Sequence, residues 1–416
     1  MFITRKNRPR SFDWLWKNAT AGALFCLSLS TPVAQAQDST AAGWSAVSLH
    51  GFGTLGFTRG DDDNAELVRD LSQPNGAGTH WATKVDSLLG VQANIHFSTA
   101  TEGVVQLVSR YHADSTYRPE VTWAFVRHDF SPDFSLRVGR LGTEFYMLGD
   151  SRLVGYSNLS VRPPPDFYGS LVLSYIDGLD VIMTRPVASG LLKGKLFAGQ
   201  SPESTPYAPG ILWDLKGSQL VGGYLDYIRG PWQFRLSHAQ VRFEQEAPFD
   251  ELLQGSLPQP YLSQVPAMAM AGQSARFSSL GLVFDQGPIN VQFMLNQIRH
   301  DSAAYTSTKA AYVMAAYRLG AVTPYLGVSR SVSDAAVLTG NPAFYPVTAS
   351  LVAHSVTDQH TYTAGARWDV QKDMALKAQV DWVRGTPASV FLLKDVQTGS
   401  WDGNLTAVSL TLDFVF

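Results

Sequence analysis

The chain is nearly without cysteine. Cys26 is the only one in 416 residues, which excludes a disulfide framework and a thiolate metal site. Long apolar runs are also missing: beyond residue 36 no stretch reaches the eighteen or so apolar residues of a membrane-crossing helix. There is no basic excess, with 32 Lys and Arg against 35 Asp and Glu, so the footprint that nucleic-acid binding needs is absent and no nucleic-acid partner is expected. The nine histidines form no His-x-x-x-His or Glu-x-x-His spacing, and neither a Gly-x-Ser-x-Gly elbow nor a phosphate-binding glycine loop occurs. Metalloenzyme, serine hydrolase and nucleotide-binding readings therefore lack their sequence signs. No catalytic residue, metal or cofactor is expected. No Pro/Ser-rich linker divides the chain, so residues 37–416 read as one domain.

What is present begins with a leader. Arg5, Lys6, Arg8, Arg10 and Lys17 form a basic region, Ala19 to Ser30 an apolar stretch, and Ala34-Gln35-Ala36 a small-residue cleavage site. Residues 1–36 therefore read as a secretory signal peptide. The apolar stretch is too short for an inner-membrane anchor across about 30 Å of hydrocarbon, and Cys26 lacks the small preceding residues of a lipoprotein site. Cleavage removes five basic residues and Asp13. Basic residues fall from 32 to 27 and acidic ones from 35 to 34, moving the net charge from −3 to −7.

The rest alternates. In Asn404–Phe416, apolar Val408, Leu410, Leu412, Phe414 and Phe416 share one face of an extended strand, and Ser409, Thr411 and Asp413 share the other. About sixteen such strands follow one another in eight hairpins, short turns alternating with long loops. They include Trp44–Phe57, His80–Phe97, Phe134–Leu141 and the pairs joined by Gly230-Pro231 and Gly287-Pro288. Alternation alone leaves a soluble β-sandwich or propeller open. Lipid is favoured by aromatics near strand ends (Trp81, Trp232, Tyr317, Trp368, Trp382), by prolines confined mostly to turns and loops, and by a final strand with no polar tail. One-sided strands in lipid need partners on both edges, which only a closed barrel supplies. The expected fold is thus an all-β transmembrane antiparallel barrel.

The leader, the run Leu49-His50-Gly51-Phe52-Gly53-Thr54-Leu55-Gly56-Phe57, the stretch Leu136-Arg137-Val138-Gly139-Arg140 and the closing Phe416 together resemble a Gram-negative outer-membrane porin of the general diffusion type. The resemblance implies a sixteen-stranded barrel, commonly a homotrimer, set among outer-membrane lipid and lipopolysaccharide. Phe416 would be read by the barrel-assembly machinery, and small hydrophilic solutes would diffuse through the lumen. It also implies a long loop after strand five that folds inward to narrow the lumen. Here that segment is Gly142–Gly169, with Glu144, Asp150 and Asp166 against Arg152 and Arg162. Such mixed charge departs from a purely acidic loop and leaves ion preference open. Pro163-Pro164-Pro165 should hold part of it extended and stiff. Facing wall cations, from the strand phasing, are Lys84, Arg137, Arg110 and Arg367, with Lys377 nearer the periplasmic end. A substrate-selective porin, for an anion or a sugar, and a barrel enzyme are the other readings. Asp61-Asp62-Asp63-Asn64 reads as a solvated external loop rather than a calcium site.

Overall fold

The computed structural model describes residues 47–416 except 145, 171–172, 209, 254–259, 388, 390–391 and 395–400. The expected leader, residues 1–36, lies outside the described residues, and Cys26 with it. Sixteen antiparallel strands close one barrel. In chain order they are β1 Val47–Arg59, β2 Leu88–His96, β3 Thr101–Arg110, β4 Glu120–Ser131 and β5 Phe134–Gly142. Next come β6 Tyr175–Val187, β7 Gly190–Gln200, β8 Gln219–Arg229, β9 Trp232–Arg242, β10 Ser274–Gln286 and β11 Ile289–His300. The last are β12 Thr308–Tyr317, β13 Val322–Ser333, β14 Asp358–Gln371, β15 Met374–Gly385 and β16 Asn404–Val415. Each strand pairs with its neighbours in sequence, and the seam joins β1 to β16 in the register Phe52↔Val415 to Arg59↔Val408. The Gly51 N–H donates to the Phe416 carbonyl at 2.8 Å and the Phe416 N–H returns a bond of 3.0 Å, so pairing continues to the last residue.

Period-two alternation sets which side chains meet lipid. In β16 Val408 and Leu410 are 40% and 44% exposed. Ser409 and Thr411 between them are buried on the inner face. Leu196 and Leu326 are exposed outside in the same way, and Trp232, Tyr317, Trp368 and Trp382 lie exposed near strand ends, the girdle of a barrel in a bilayer. Even-numbered strands run into odd ones through tight turns, two of them at Gly230-Pro231 and Gly287-Pro288. Gly230 and Gly287 take φ of 55° and 56°, which a following proline accepts and a side chain at the glycine would oppose. Odd-numbered strands lead instead into long connections such as 60–87, 143–174 and 243–273. Two small ribbons lie among these connections: Ala65–Leu67 pairs with Leu392–Lys394 from another connection, and Ser204–Ala208 with Ile211–Asp214 within its own.

One expected strand is too long. The segment expected to span His80–Phe97 pairs continuously in the barrel only from Leu88, with one isolated bridge earlier, between Ala82 and Thr58 of β1. Val85 and Asp86 are both buried, so the alternation has already failed there, and residues 80–87 belong to the connection. Lys84 is therefore no wall residue. Its ammonium donates to the Asn75 side-chain oxygen at 2.6 Å within the same connection.

The lipid-facing assignment is testable at Leu326, in the middle of β13. Leu326→Arg should lower the unfolding free energy in lipid vesicles by about 2–4 kcal/mol. Reversible urea unfolding followed by tryptophan fluorescence measures it, with Leu326→Val expected to cost far less.

Candidate functional site

The segment after β5 carries the chemistry. It begins with Thr143 and Glu144 just beyond Gly142 and returns to the wall at Tyr175. Its prolines do not all run extended. Pro164 has φ −54° and ψ 118°, but Pro165 heads a single helical turn, Pro165–Tyr168. A first helical position suits proline, whose missing N–H would be unbonded there anyway. The Tyr168 N–H donates to the Pro164 carbonyl at 3.0 Å. The stiffening is thus a bend followed by a turn, and it turns Arg162 and Asp166 toward the wall.

Arg162 is fully buried. Its guanidinium donates to Asp86 through Nε at 2.9 Å and Nη2 at 2.6 Å, and to Asp381 on β15 through Nη1 at 3.0 Å. Nη2 also reaches the hydroxyls of Thr58 on β1 and Ser409 on β16. Burial opposes its charge, but the two carboxylates keep the guanidinium protonated above its ordinary range. Close by, Lys377 on β15 donates to the carbonyls of Gly155 and Ser160 at 2.7 and 3.0 Å and pairs with Asp413 on β16 at 3.1 Å. Lys377 is a buried anchor, and as the fourth residue of β15 it lies near the short-turn end of the barrel, as its strand phasing implied. Gly155 has no side chain to keep its backbone from resting against Asp413 and Thr54. Arg367 on β14 pairs with Asp369 and donates to the Tyr156 and Asn158 carbonyls.

The start of the segment is held elsewhere. Glu144 accepts from Lys195 on β7 at 2.6 Å and lies 3.4 Å from Arg137 on β5, which also grips Asp180 on β6 at 2.6 Å. Burial alone would raise the Glu144 carboxyl, but Lys195 and Arg137 override it and hold it well below the usual carboxylate range. Arg235 on β9, paired with Asp226 on β8, donates to the Tyr146 carbonyl at 3.0 Å. β7 and β15 are eight strands apart in a ring of sixteen. One segment thus bonds to inward-facing side chains on opposite walls.

Between these charged clusters the contacts are aromatic. Tyr146, Phe167 and Tyr168 of the segment pack edge-on with one another and against Phe277 and Tyr312 of β10 and β12. Asp166 closes the series, accepting from Ser329 at 2.6 Å and Gln359 at 2.5 Å on β13 and β14. Burial outweighs those bonds and pushes its carboxyl up to about 6. Burial likewise lifts Glu203, in the next long connection, to about 7 although it accepts the Ser174 and Tyr175 N–H groups.

The sequence-predicted residues thus divide. Glu144, Arg162, Asp166, Arg137 and Arg367 meet at the segment or its wall. Arg152 is part of the same segment but donates to Ser174, at its far end. Arg110, at the top of β3, turns to Asp70 and Ser72 in the first long connection. Half-buried Asp150 accepts the Ser151 N–H, and burial raises its carboxyl. In the acidic triplet Asp62 accepts from Asn64 and Asp63 from Thr79 within the same connection, while Asp61 accepts the Thr406 N–H of β16. Sequence reasoning missed Asp180, Lys195, Asp226, Arg235 and Asp381, and gave Asp413 an inner face but no partner. Their signal was a charged residue flanked by apolar ones in a strand, as in Leu179-Asp180-Val181 and Leu225-Asp226-Tyr227.

Three solved structures are similar over nearly the whole chain. The anion-selective porin from Comamonas acidovorans gives a TM-score of 0.53 at 14% identity, covering 89% of this chain and 100% of its own. Salmonella typhi OmpF, in complex with daunomycin, gives 0.54 at 12%, covering 89% and 98%. Vibrio cholerae OmpT in its trimer form gives 0.51 at 13%, covering 90% and 100%. The fold is that of the outer-membrane porins. No protein-family profile matches the sequence, and no curated protein does.

Two outcomes test the site. Arg162→Ala strands Asp86 and Asp381 without their counter-charge and should cost about 3–5 kcal/mol, read by urea unfolding and by faster proteolysis of 143–174. Asp166 and Glu203 have folded pKa values raised above ordinary values of 3.8 and 4.5. They favour the native state most when protonated, so their contribution is present below about pH 4 and is lost as pH rises through 6 to 7. Wild-type stability minus that of Asp166→Asn/Glu203→Gln should therefore fall between pH 4 and 7. A flat difference would remove both groups from the linkage.

Proposed function

We propose that this protein is an outer-membrane channel for passive diffusion of small hydrophilic solutes and ions, with residues 143–174 as its constriction. The observation that carries this reading is the bracing of one segment between opposite inner walls by Glu144–Lys195 at one end and Arg162–Asp86–Asp381 at the other. Opposed fixed charges along an aqueous path orient dipolar solutes and disfavour apolar ones, whose shell of water follows the field poorly. Mutual ion pairing leaves little unbalanced charge, which supports weak ion selectivity. A homotrimer in lipopolysaccharide-bearing membrane, assembled by the barrel machinery through the strand ending in Phe416, fits the same reading. The trimer form of the Vibrio cholerae protein supports it. The proposal is of a channel and not of an enzyme.

Purified protein in a planar bilayer should give stepwise, ohmic conductance, and its absence from well-folded protein would sink the proposal. Arg137→Gln leaves Glu144 and Asp180 facing Lys195 alone and should move the reversal potential in a salt gradient toward cation preference. Lys84→Gln should leave it unchanged, because Lys84 is bonded to Asn75 away from the wall. A substrate-selective channel is the second reading, favoured by the aromatic cluster of Tyr146, Phe167, Tyr168 and Tyr312. Saturable current blocked by solute would select it over free diffusion.

A further inference from the structure

At the long-loop end of the barrel lies a second feature that the channel reading does not use. A cavity of about 130 Å³ is lined by side chains from six connections, among them Leu71, Leu173, Trp213, Phe243, Tyr305 and Thr357, and by the adjoining ends of several strands. Its wall is mostly apolar. A row of rings borders it: His300 stacks on Tyr305 at 5.3 Å and Tyr305 on Trp213 at 5.7 Å, and Phe243 lies tilted against Trp213 at 5.1 Å. Trp213 is delivered there by the ribbon in which Ile211–Asp214 pairs with Ser204–Ala208, and it is 2% exposed.

Three lining residues carry buried polar atoms with no hydrogen-bond partner among the described residues, namely Trp213 Nε1, His300 Nδ1 and Thr357 Oγ1. Buried donors are rarely left unbonded, because they give up water without replacement. Three such atoms around one pocket, whose aromatic and aliphatic side chains are interspersed with the hydroxyls of Ser170, Thr306, Thr308, Ser331 and Ser355, describe a binding site with a flat apolar body and a polar edge. Size agrees, since an apolar cavity of about 150 Å³ holds a benzene ring. Charge narrows the class further. Arg276, which also lines the cavity, is held by Asp301 through two bonds of 2.9 Å. An anion buried here would find its nearest guanidinium already paired, and such burial is costly.

We propose that this cavity binds a small neutral aromatic molecule bearing a hydrogen-bond acceptor. The ring continues the row formed by Phe243, Trp213 and Tyr305, and the acceptor takes the indole N–H of Trp213 and the hydroxyl of Thr357. The proposal needs only the folded barrel and is independent of whether the barrel conducts.

Calorimetric titration of the full chain refolded in detergent, against an empty-micelle blank, tests it with benzamide as probe. Toluene is the ring without an acceptor, cyclohexanecarboxamide the amide without an aromatic ring, and benzoate the anionic counterpart. Benzamide should bind more tightly than all three. Trp213→Phe keeps the stack and Thr357→Val the shape, and each should weaken benzamide about five- to tenfold while leaving toluene unchanged. Ala239→Leu, which fills the cavity, should abolish both. Its folding is checked by heat-modifiable gel mobility, and the Trp213→Phe and Thr357→Val variants decide alone if it fails. Equal heats from wild type and a folded Ala239→Leu protein would mean partition into the micelle. No heat would mean a cavity that holds water alone, and tighter binding of benzoate an anion site. Any of these overturns the proposal.

Discussion

In hydrocarbon a backbone N–H or C=O without a partner costs several kcal/mol, and no water is at hand to supply one. A sheet in that medium has one stable end state, in which its first strand pairs with its last. Here β1 and β16 meet in unbroken register from Arg59 and Val408 down to the paired groups of Gly51 and Phe416. Everything inside follows from that closure. Once the ring is shut, each strand has one face in lipid and the other in a narrow interior whose contents must satisfy one another.

Where the segment after β5 meets the wall, the interior does this by charge compensation. Asp180, Lys195, Glu144 and Arg137 form one cluster, and Arg162, Asp86 and Asp381 form another. In each the ions are buried, and the cost of removing them from water is offset only because every member has a partner of opposite sign at bonding distance. The segment after β5 contributes Glu144 to the first and Arg162 to the second. It is therefore not a cover over a finished wall. It completes the electrostatics of the wall, and the aromatic side chains between its two ends fill the space that charge does not.

Much of this was legible in sequence, because period-two alternation is a local property. Val408, Ser409, Leu410 and Thr411 announce their faces without reference to any other segment, and the long stretch following Leu136–Arg140 announces a loop. Lys84 shows where locality fails: the alternation around it continues on paper past the residue where pairing begins, since nothing in a single strand records where its neighbour stops. The Arg162 cluster was illegible for a different reason. Asp381 is 219 positions from its partner, and a carboxylate on an inner face looks the same whether it meets water or a guanidinium. Trp213 gave no sign at all, because a ribbon inside a long connection has no period long enough to read.

The position of Arg162 has a consequence for assembly. Its side chain touches Thr58 of β1, Asp381 of β15 and Ser409 of β16, so its receptor spans the seam. Until the two ends of the chain have zipped together, those groups are not assembled and the arginine has nowhere to go. Its docking is thus one of the late steps of folding, gated by the slowest kind of contact, one between residues at opposite ends of the sequence. Once made, it lies across the join like a clasp, and opening the seam would first require a buried cation to give up one of its two carboxylates, Asp86 on one side or Asp381 on the other.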